Sequence, residues 1–173
     1  ASDVYKRQDL IKNYVELFLK NVAYNNKRKR KDRADMEVKE PVILVVDDDK
    51  DIVGAIAKLL EMEGYKVIKA YDGLEALEKL TENSIQLILI DVMMPKLDGL
   101  STMMKIRATE NIPILVLSAK SEDTDKVLGL SMGADDYITK PYNPMELVAR
   151  VRSNLRRYMQ LALIHISEPT RLG

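Results

Sequence analysis

Leu87-Ile-Leu-Ile-Asp91 sets an unbroken apolar run directly before a carboxylate, and Val42-Ile-Leu-Val-Val-Asp47 does the same earlier in the chain. Short apolar runs that do not alternate with polar residues predict strands buried on both faces, the condition of parallel strands covered by helices. Outward from Val42–Val46 and Leu87–Ile90, the further strands predicted are Lys66–Ala70, Ile114–Leu117 and Tyr137–Thr139. Between them Ile52, Ile56, Leu59 and Leu60 recur at helical spacing and stop at Gly64, and Leu74, Leu77 and Leu80 recur likewise. Met103–Ile106, Val127–Leu130 and Leu147–Leu155 predict three more helices. Strict alternation of strands and helices predicts an α/β fold, an open doubly wound sheet of five parallel strands flanked by five helices. Pro41, Pro95, Pro113, Pro141 and Pro144 fall at element boundaries, where a missing backbone donor is tolerated.

In such sheets ligands bind beyond the carboxyl ends of the strands. The polar residues follow that rule: Asp47 and Asp48 come after the first strand, Asp91 after the third, Ser118 after the fourth and Lys140 after the fifth. Taken singly each has a plain structural explanation. A run such as Asp47-Asp48-Asp49 often starts a helix, an acid after an apolar run often caps the strand, and Ser118 and Lys140 are ordinary loop residues. Their convergence on one sheet edge favours a shared site. Three acids gathered there repel one another unless a cation holds them, and Mg2+ suits an all-oxygen set that includes phosphate oxygens. Asp91 is then a candidate carboxylate nucleophile toward phosphorus, Lys140 the ammonium that offsets charge on the transferred oxygens, and Ser118 a hydroxyl donor to them.

Composition narrows the remaining classes. The 173 residues are 46% hydrophobic and 31% charged, as in ordinary globular proteins. Lys plus Arg and Asp plus Glu both number 27, so no global basic field points to nucleic acid. With no cysteine and a single histidine, His165, thiolate chemistry and Cys/His metal clusters are excluded. No apolar run approaches a spanning length, so a cytoplasmic protein with no membrane partner is expected.

Two other motif readings stand beside this one. Asp47, Asp49 and Asp51 imitate the start of a calcium loop, but Ile52 replaces its glycine and Lys58 its bidentate acid. Asp47 and Asp49 also resemble the nucleophile and acid of haloacid dehalogenase-type phosphatases, with Ser118, Lys140 and Asp135-Asp136 as later motifs. Asp51 departs from that pattern, and the acid pair precedes the lysine. A third possibility is an interaction module of the same shape that takes no phosphate.

Four ordered motifs carry a specific resemblance: ILVVDDD over Ile43–Asp49, LILIDVMMP over Leu87–Pro95, LSA over Leu117–Ala119 and GADDYITKP over Gly133–Pro141. Together they resemble the receiver (CheY-like) domain of two-component response regulators, over about Pro41–Tyr158, and look closest to the OmpR/PhoB-type subgroup. The resemblance implies a flavodoxin-like strand order of 2-1-3-4-5, with Asp91 as phosphoacceptor and Asp47 and Asp48 as the acidic pair that binds Mg2+ with Asp91. It further implies that Met93 lends a backbone carbonyl to the metal, that Ser118 and Tyr137 are the switch residues, and that Lys140 is the phosphate partner. The donor implied is a sensor histidine kinase. The domain would be a phosphoacceptor in signalling, catalysing its own phosphorylation and slow dephosphorylation, and not a turnover enzyme. In the subgroup the fourth helix, fifth strand and fifth helix form a symmetric dimer face. Here that implies homodimerisation on phosphorylation, with Lys126–Glu146 and Asp135 or Asp136–Arg150 as cross-subunit pairs around an apolar patch including Leu130 and Ala149.

The ends fit less well. Residues 1–40 are expected to be an N-terminal extension, 41–158 the receiver and 159–173 a C-terminal tail. Ala1–Gln8 and Leu163–Gly173 resemble translated adapter sequence, and Met36 is expected to be the natural start. An amphipathic pattern over Leu10, Ile11, Tyr14, Val15, Phe18 and Val22 and the basic run Lys27–Arg33 are the extension's other features. The subgroup continues into a winged-helix domain that this chain is expected to lack, so DNA contact is expected only through that part, in control of transcription.

Overall fold

The computed structural model describes Lys20 and residues 40–94, 96–119 and 133–167, the last five by backbone alone. The chain divides into two compact units, Ala1–Lys39 and Glu40–Gly173, and every element below lies in the second. In chain order these are β1 (Val42–Val46), α1 (Lys50–Met62), β2 (Lys66–Ala70), α2 (Gly73–Glu82), β3 (Leu87–Asp91), α3 (Gly99–Arg107), β4 (Ile114–Ser118), β5 (Asp136–Thr139) and α4 (Pro144–Ser167). The predicted helix over Val127–Leu130, with Lys126, lies outside the described residues.

All strand pairs are parallel and the order is β2-β1-β3-β4-β5, as the resemblance implied. Continuous apolar runs sort themselves across this sheet because successive side chains point to opposite faces. Ile43, Val45, Leu87, Leu89, Leu115, Leu117 and Ile138 face one way and pack with Val53, Ile56 and Leu60 of α1 and Leu147, Val151 and Leu155 of α4. Leu44, Val46, Ile88, Ile90, Ile114 and Val116 face the other and pack with Ala76 of α2 and Met103 and Ile106 of α3. Full burial of each such side chain contributes roughly 1.5–3 kcal/mol. β2 lies at an edge and breaks the pattern accordingly, with Lys66 and Lys69 exposed, charges that discourage pairing with another chain.

Local signals set the helix ends. The Asp49 carboxylate caps α1 by accepting from the Asp51 and Ile52 amides, and Gly64 ends the turn beyond it at a φ of 89°. Asn143 accepts from the Met145 and Glu146 amides and Pro144 occupies the first helical position of α4, where its missing N–H has no partner to lose. α4 differs from its sequence expectation in length. It begins at Pro144 and continues past Leu155 and Tyr158 to Ser167, because no Gly or Pro interrupts that stretch.

Candidate functional site

Strand order reverses on either side of β1, which has β2 on one flank and β3 on the other. β1 and β3 run in register, Val46 opposite Ile90, so the residues that follow, Asp47 and Asp91, emerge side by side at the carboxyl end of the sheet. Adjacent strands lie ~4.8 Å apart, and carboxylate oxygens of Asp47, Asp48 and Asp91 all lie within 4.8 Å of one another. Asp91 and Ser118 are the last residues of β3 and β4, one place earlier than an after-the-strand reading puts them.

The three consecutive aspartates take three different roles. Asp47 is buried; its Oδ1 accepts from the Asp49 amide at 3.0 Å, and its Oδ2 accepts from Lys140 Nζ at 2.7 Å. Asp48 is exposed and completes the acidic trio. Asp49 is turned to the α1 cap. The trio can hold an oxygen-liganded divalent cation: its oxygens are close enough to share one ion, and two of its three members are buried, where like charges need a counter-ion.

Lys140 follows β5, held by its own amide donating to the Ser118 carbonyl at 2.7 Å. Its ammonium lies 3.6 Å from Asp91 Oδ2 as well as against Asp47. Burial alone would lower its pKa, but the Asp47 hydrogen bond and the charges of Asp91 and Asp47 together outweigh it and raise it. Burial also raises the pKa of Asp91, opposed by Lys140 and by the Met93 amide and reinforced by Asp47 and Asp48. Asp91 Oδ1 accepts from the Met93 amide at 3.3 Å, and Met93 as a residue is 57% exposed. Ser118 is buried at the same edge, and Tyr137 is half-buried in β5 against the Ile90 and Val116 side of the core. Tyr142, which sequence reasoning passed over, packs beside this edge; burial raises its pKa, with Lys140 opposing and Asp47 reinforcing.

Among the described residues, the charges expected at a dimer face are engaged within the chain. Arg150 donates to Asp136 at 2.8 Å and to Glu146 at 3.0 Å, and Asn154 donates to the other Asp136 oxygen. Asp135 pairs with Arg107, a residue the sequence reading did not single out, which also donates to the carbonyls of Gly133, Glu110 and Ile112. Ala149 is exposed on α4. Leu130 and Lys126 lie outside the described residues.

Comparison with known proteins agrees with this geometry. The profile of the family described as "Response regulator receiver domain" matches residues 43–152. The chain is 48% identical over 118 residues to the regulatory protein VanRc of Enterococcus gallinarum, covering 68% of this chain and 51% of that protein. It is 51% identical over 115 residues to the transcriptional regulatory protein CpxR of Escherichia coli, covering 66% and 49%. The chain therefore spans about half the length of these relatives. Among solved structures, a Francisella response regulator receiver domain superposes with a TM-score of 0.66 at 41% identity, over 68% of this chain and 98% of that one. The BeF3-activated N-terminal receiver domain of Klebsiella pneumoniae RstA superposes with a TM-score of 0.64 at 34% identity, over 66% and 98%.

Proposed function

The chain belongs to the response-regulator receiver-domain family of two-component systems, and on that premise we propose that Asp91 is its phosphoacceptor. The supporting observation is the Asp47, Asp48, Asp91 trio with Lys140 Nζ at 2.7 Å from Asp47 and 3.6 Å from Asp91. An Asp91 carboxylate oxygen attacks phosphorus, the bond from phosphorus to the donor's nitrogen or oxygen breaks, and the electron pair leaves with the donor, producing an acyl phosphate on Asp91. Mg2+ held by Asp47, Asp48, Asp91 and the Met93 carbonyl would neutralise charge on the transferred oxygens. Lys140 stands where it can exchange part of its contact with Asp91 for a phosphoryl oxygen. Ser118, at the end of the neighbouring strand, donates to another, a contact that exists only after transfer and therefore favours one conformation, with Tyr137 following.

The physiological donor in this reading is a sensor histidine kinase, and the domain works in the cytoplasm. None of the helices among the described residues is long and apolar enough to cross a membrane. Phosphorylation promotes homodimerisation through the face of the predicted helix over Val127–Leu130, β5 and α4, and the outcome is control of transcription through a DNA-binding domain elsewhere in the regulator. Because Arg150 already holds Asp136 and Glu146 in its own chain, a cross-subunit pair would have to share or exchange those partners. Charge reversal at Arg150 should then abolish the shift in sedimentation that phosphorylation produces; an unchanged shift would remove this face from the proposal.

Acetyl phosphate with Mg2+ is the direct test of acceptance. The expected result is a mass gain of one phosphoryl group, sensitive to hydroxylamine and mapped to Asp91. Rapid turnover through Asp47 would favour the phosphatase chemistry instead, and absence of any adduct would favour an inert interaction module.

A further inference from the structure

Gly99 opens α3 and lies against the end of β3. A Cβ built on it would stand well inside contact distance of the Asp91 carbonyl oxygen and 2.8 Å from both the Asp91 carbonyl carbon and Val92 Cα. Its φ is not in the left-handed region, so the backbone there admits alanine, and helix propensity would favour it. Space is the sole obstacle, and the atoms in the way are backbone.

Those backbone atoms are held from both sides. The Val92 amide donates to the Leu117 carbonyl at 3.1 Å, and the Gly99 amide donates to the Val92 carbonyl at 3.2 Å. The Asp98 carboxylate caps the same turn through the Ser101 amide at 2.7 Å. The peptide pinned in this way joins Asp91 to the segment whose Met93 amide orients the Asp91 carboxylate. Asp47 and Asp48 come from a different strand end and do not move with it.

We infer that Gly99 is a positioning residue for Asp91: its missing side chain lets α3 press on the Asp91–Val92 peptide and sets the Asp91 carboxylate in register with Asp47 and Asp48. The inference rests on the assignment of Asp91 as acceptor. Enlarging residue 99 either lifts α3 or turns the Asp91–Val92 peptide. Either movement shifts one carboxylate of the trio against the other two, and a displacement of about 1 Å at a reacting group can cost about 100-fold in rate.

Gly73 supplies an internal comparison. The nearest atoms a Cβ there would meet are the Thr102 side-chain hydroxyl and the Leu97 carbonyl oxygen and Cβ, and none of these three belongs to Asp91 or Val92. Gly99→Ala and Gly73→Ala, each in the whole 173-residue chain, are compared with wild type by calorimetric Mg2+ titration, by melting with and without Mg2+, and by the rate of acetyl phosphate labelling. For G99A the expected results are an Mg2+ dissociation constant raised about tenfold and labelling slowed about 100-fold. G73A should melt earlier but bind Mg2+ and label within about twofold of wild type.

Should G99A be unfolded by circular dichroism, Asp98→Ala takes its place. It removes the cap and lets the first turn ride away from Asp91 without adding an atom, and should weaken Mg2+ binding about threefold. A folded G99A that matches wild type, a D98A that matches it where G99A cannot fold, or a G73A that loses Mg2+ binding equally overturns the inference alone. A wild-type chain that takes no label overturns the assignment of Asp91 and the inference with it.

Discussion

Neutralising Asp91 should make this domain more stable. The Asp91 side chain is 7% exposed, has two acidic neighbours with oxygens no more than 4.8 Å away, and has one cation at 3.6 Å. At an effective dielectric constant of about 20, a like charge at that separation costs roughly 3.5 kcal/mol and the lysine returns roughly 4.6 kcal/mol. Asp48 is exposed, so its repulsion is largely screened. Attraction and repulsion thus nearly cancel, and dehydration of the carboxylate decides the sign. That penalty is several kcal/mol for an ion, against about 1–3 kcal/mol for a neutral amide of the same shape. Asn at position 91 keeps an oxygen for the Met93 amide, and Lys140 keeps Asp47. Asp91→Asn is therefore expected to stabilise the Mg2+-free chain by about 2 kcal/mol, a rise in Tm of about 6 °C or more.

The pH dependence gives a second check on the same reasoning. Because the pKa of Asp91 is raised in the folded chain, the native state retains a proton over the interval where the unfolded chain has lost it, and stability falls as pH rises across that interval. The cost is absent below the ordinary carboxylate range and complete above the raised pKa of Asp91. The advantage of Asp91→Asn should vanish on acidification and grow toward neutral pH. Added Mg2+ should narrow it, since an ion that binds the native wild type stabilises it by about 1.4 kcal/mol at roughly ten times its dissociation constant. The assay is thermal melting in chelator and in Mg2+ over a pH series. A variant that melts at or below wild type in chelator at neutral pH, or an advantage that does not change with pH, would refute the electrostatic account.

Lys140→Met leaves the buried Asp47 carboxylate without its 2.7 Å partner and should destabilise the Mg2+-free chain by about 3 kcal/mol, while Mg2+ restores more stability than it adds to wild type; equilibrium urea unfolding with and without Mg2+ measures both. Asp49→Ala removes the α1 cap and should cost about 1 kcal/mol with acetyl phosphate labelling unchanged, a result that separates Asp49 from its two neighbours. Arg107→Ala strips donors from three carbonyls and from Asp135; chemical denaturation should show a loss of about 2 kcal/mol, and a loss under about 0.5 kcal/mol would mean the network is replaced by water.

Much of this was legible along the chain. A strand buried on both faces has to be apolar at every position, so VILVV, LILI and ILVL announced β1, β3 and β4 by composition alone. A residue that ends such a run lies at a strand end, which placed Asp47, Asp91 and Ser118 at one edge of the sheet, while Lys140 follows the partly buried β5 and joined them by its position after the fifth strand. Helix caps are equally local: Asp49 bonds to amides two and three residues on.

The tertiary structure decided what depends on residues far apart in sequence. Lys140 reaches Asp47 across 93 positions, and no local pattern says whether it pairs there or extends into solvent. Arg150 finds Asp136 and Glu146 in its own chain, although charge pattern alone served a cross-subunit pairing equally well. Asp47, Asp48 and Asp49 are chemically identical, and their division into a buried partner of lysine, an exposed third acid and a helix cap follows from the turn that joins β1 to α1. Gly99 went unnoticed because an absent side chain carries no chemical label; its meaning lies in the Asp91 carbonyl that occupies the space. Sequence determined which residues arrive at the carboxyl edge of the sheet, because burial and capping act locally. Folding determined how far apart they stand and which charges they answer, because electrostatic and steric contacts are set by distance through space.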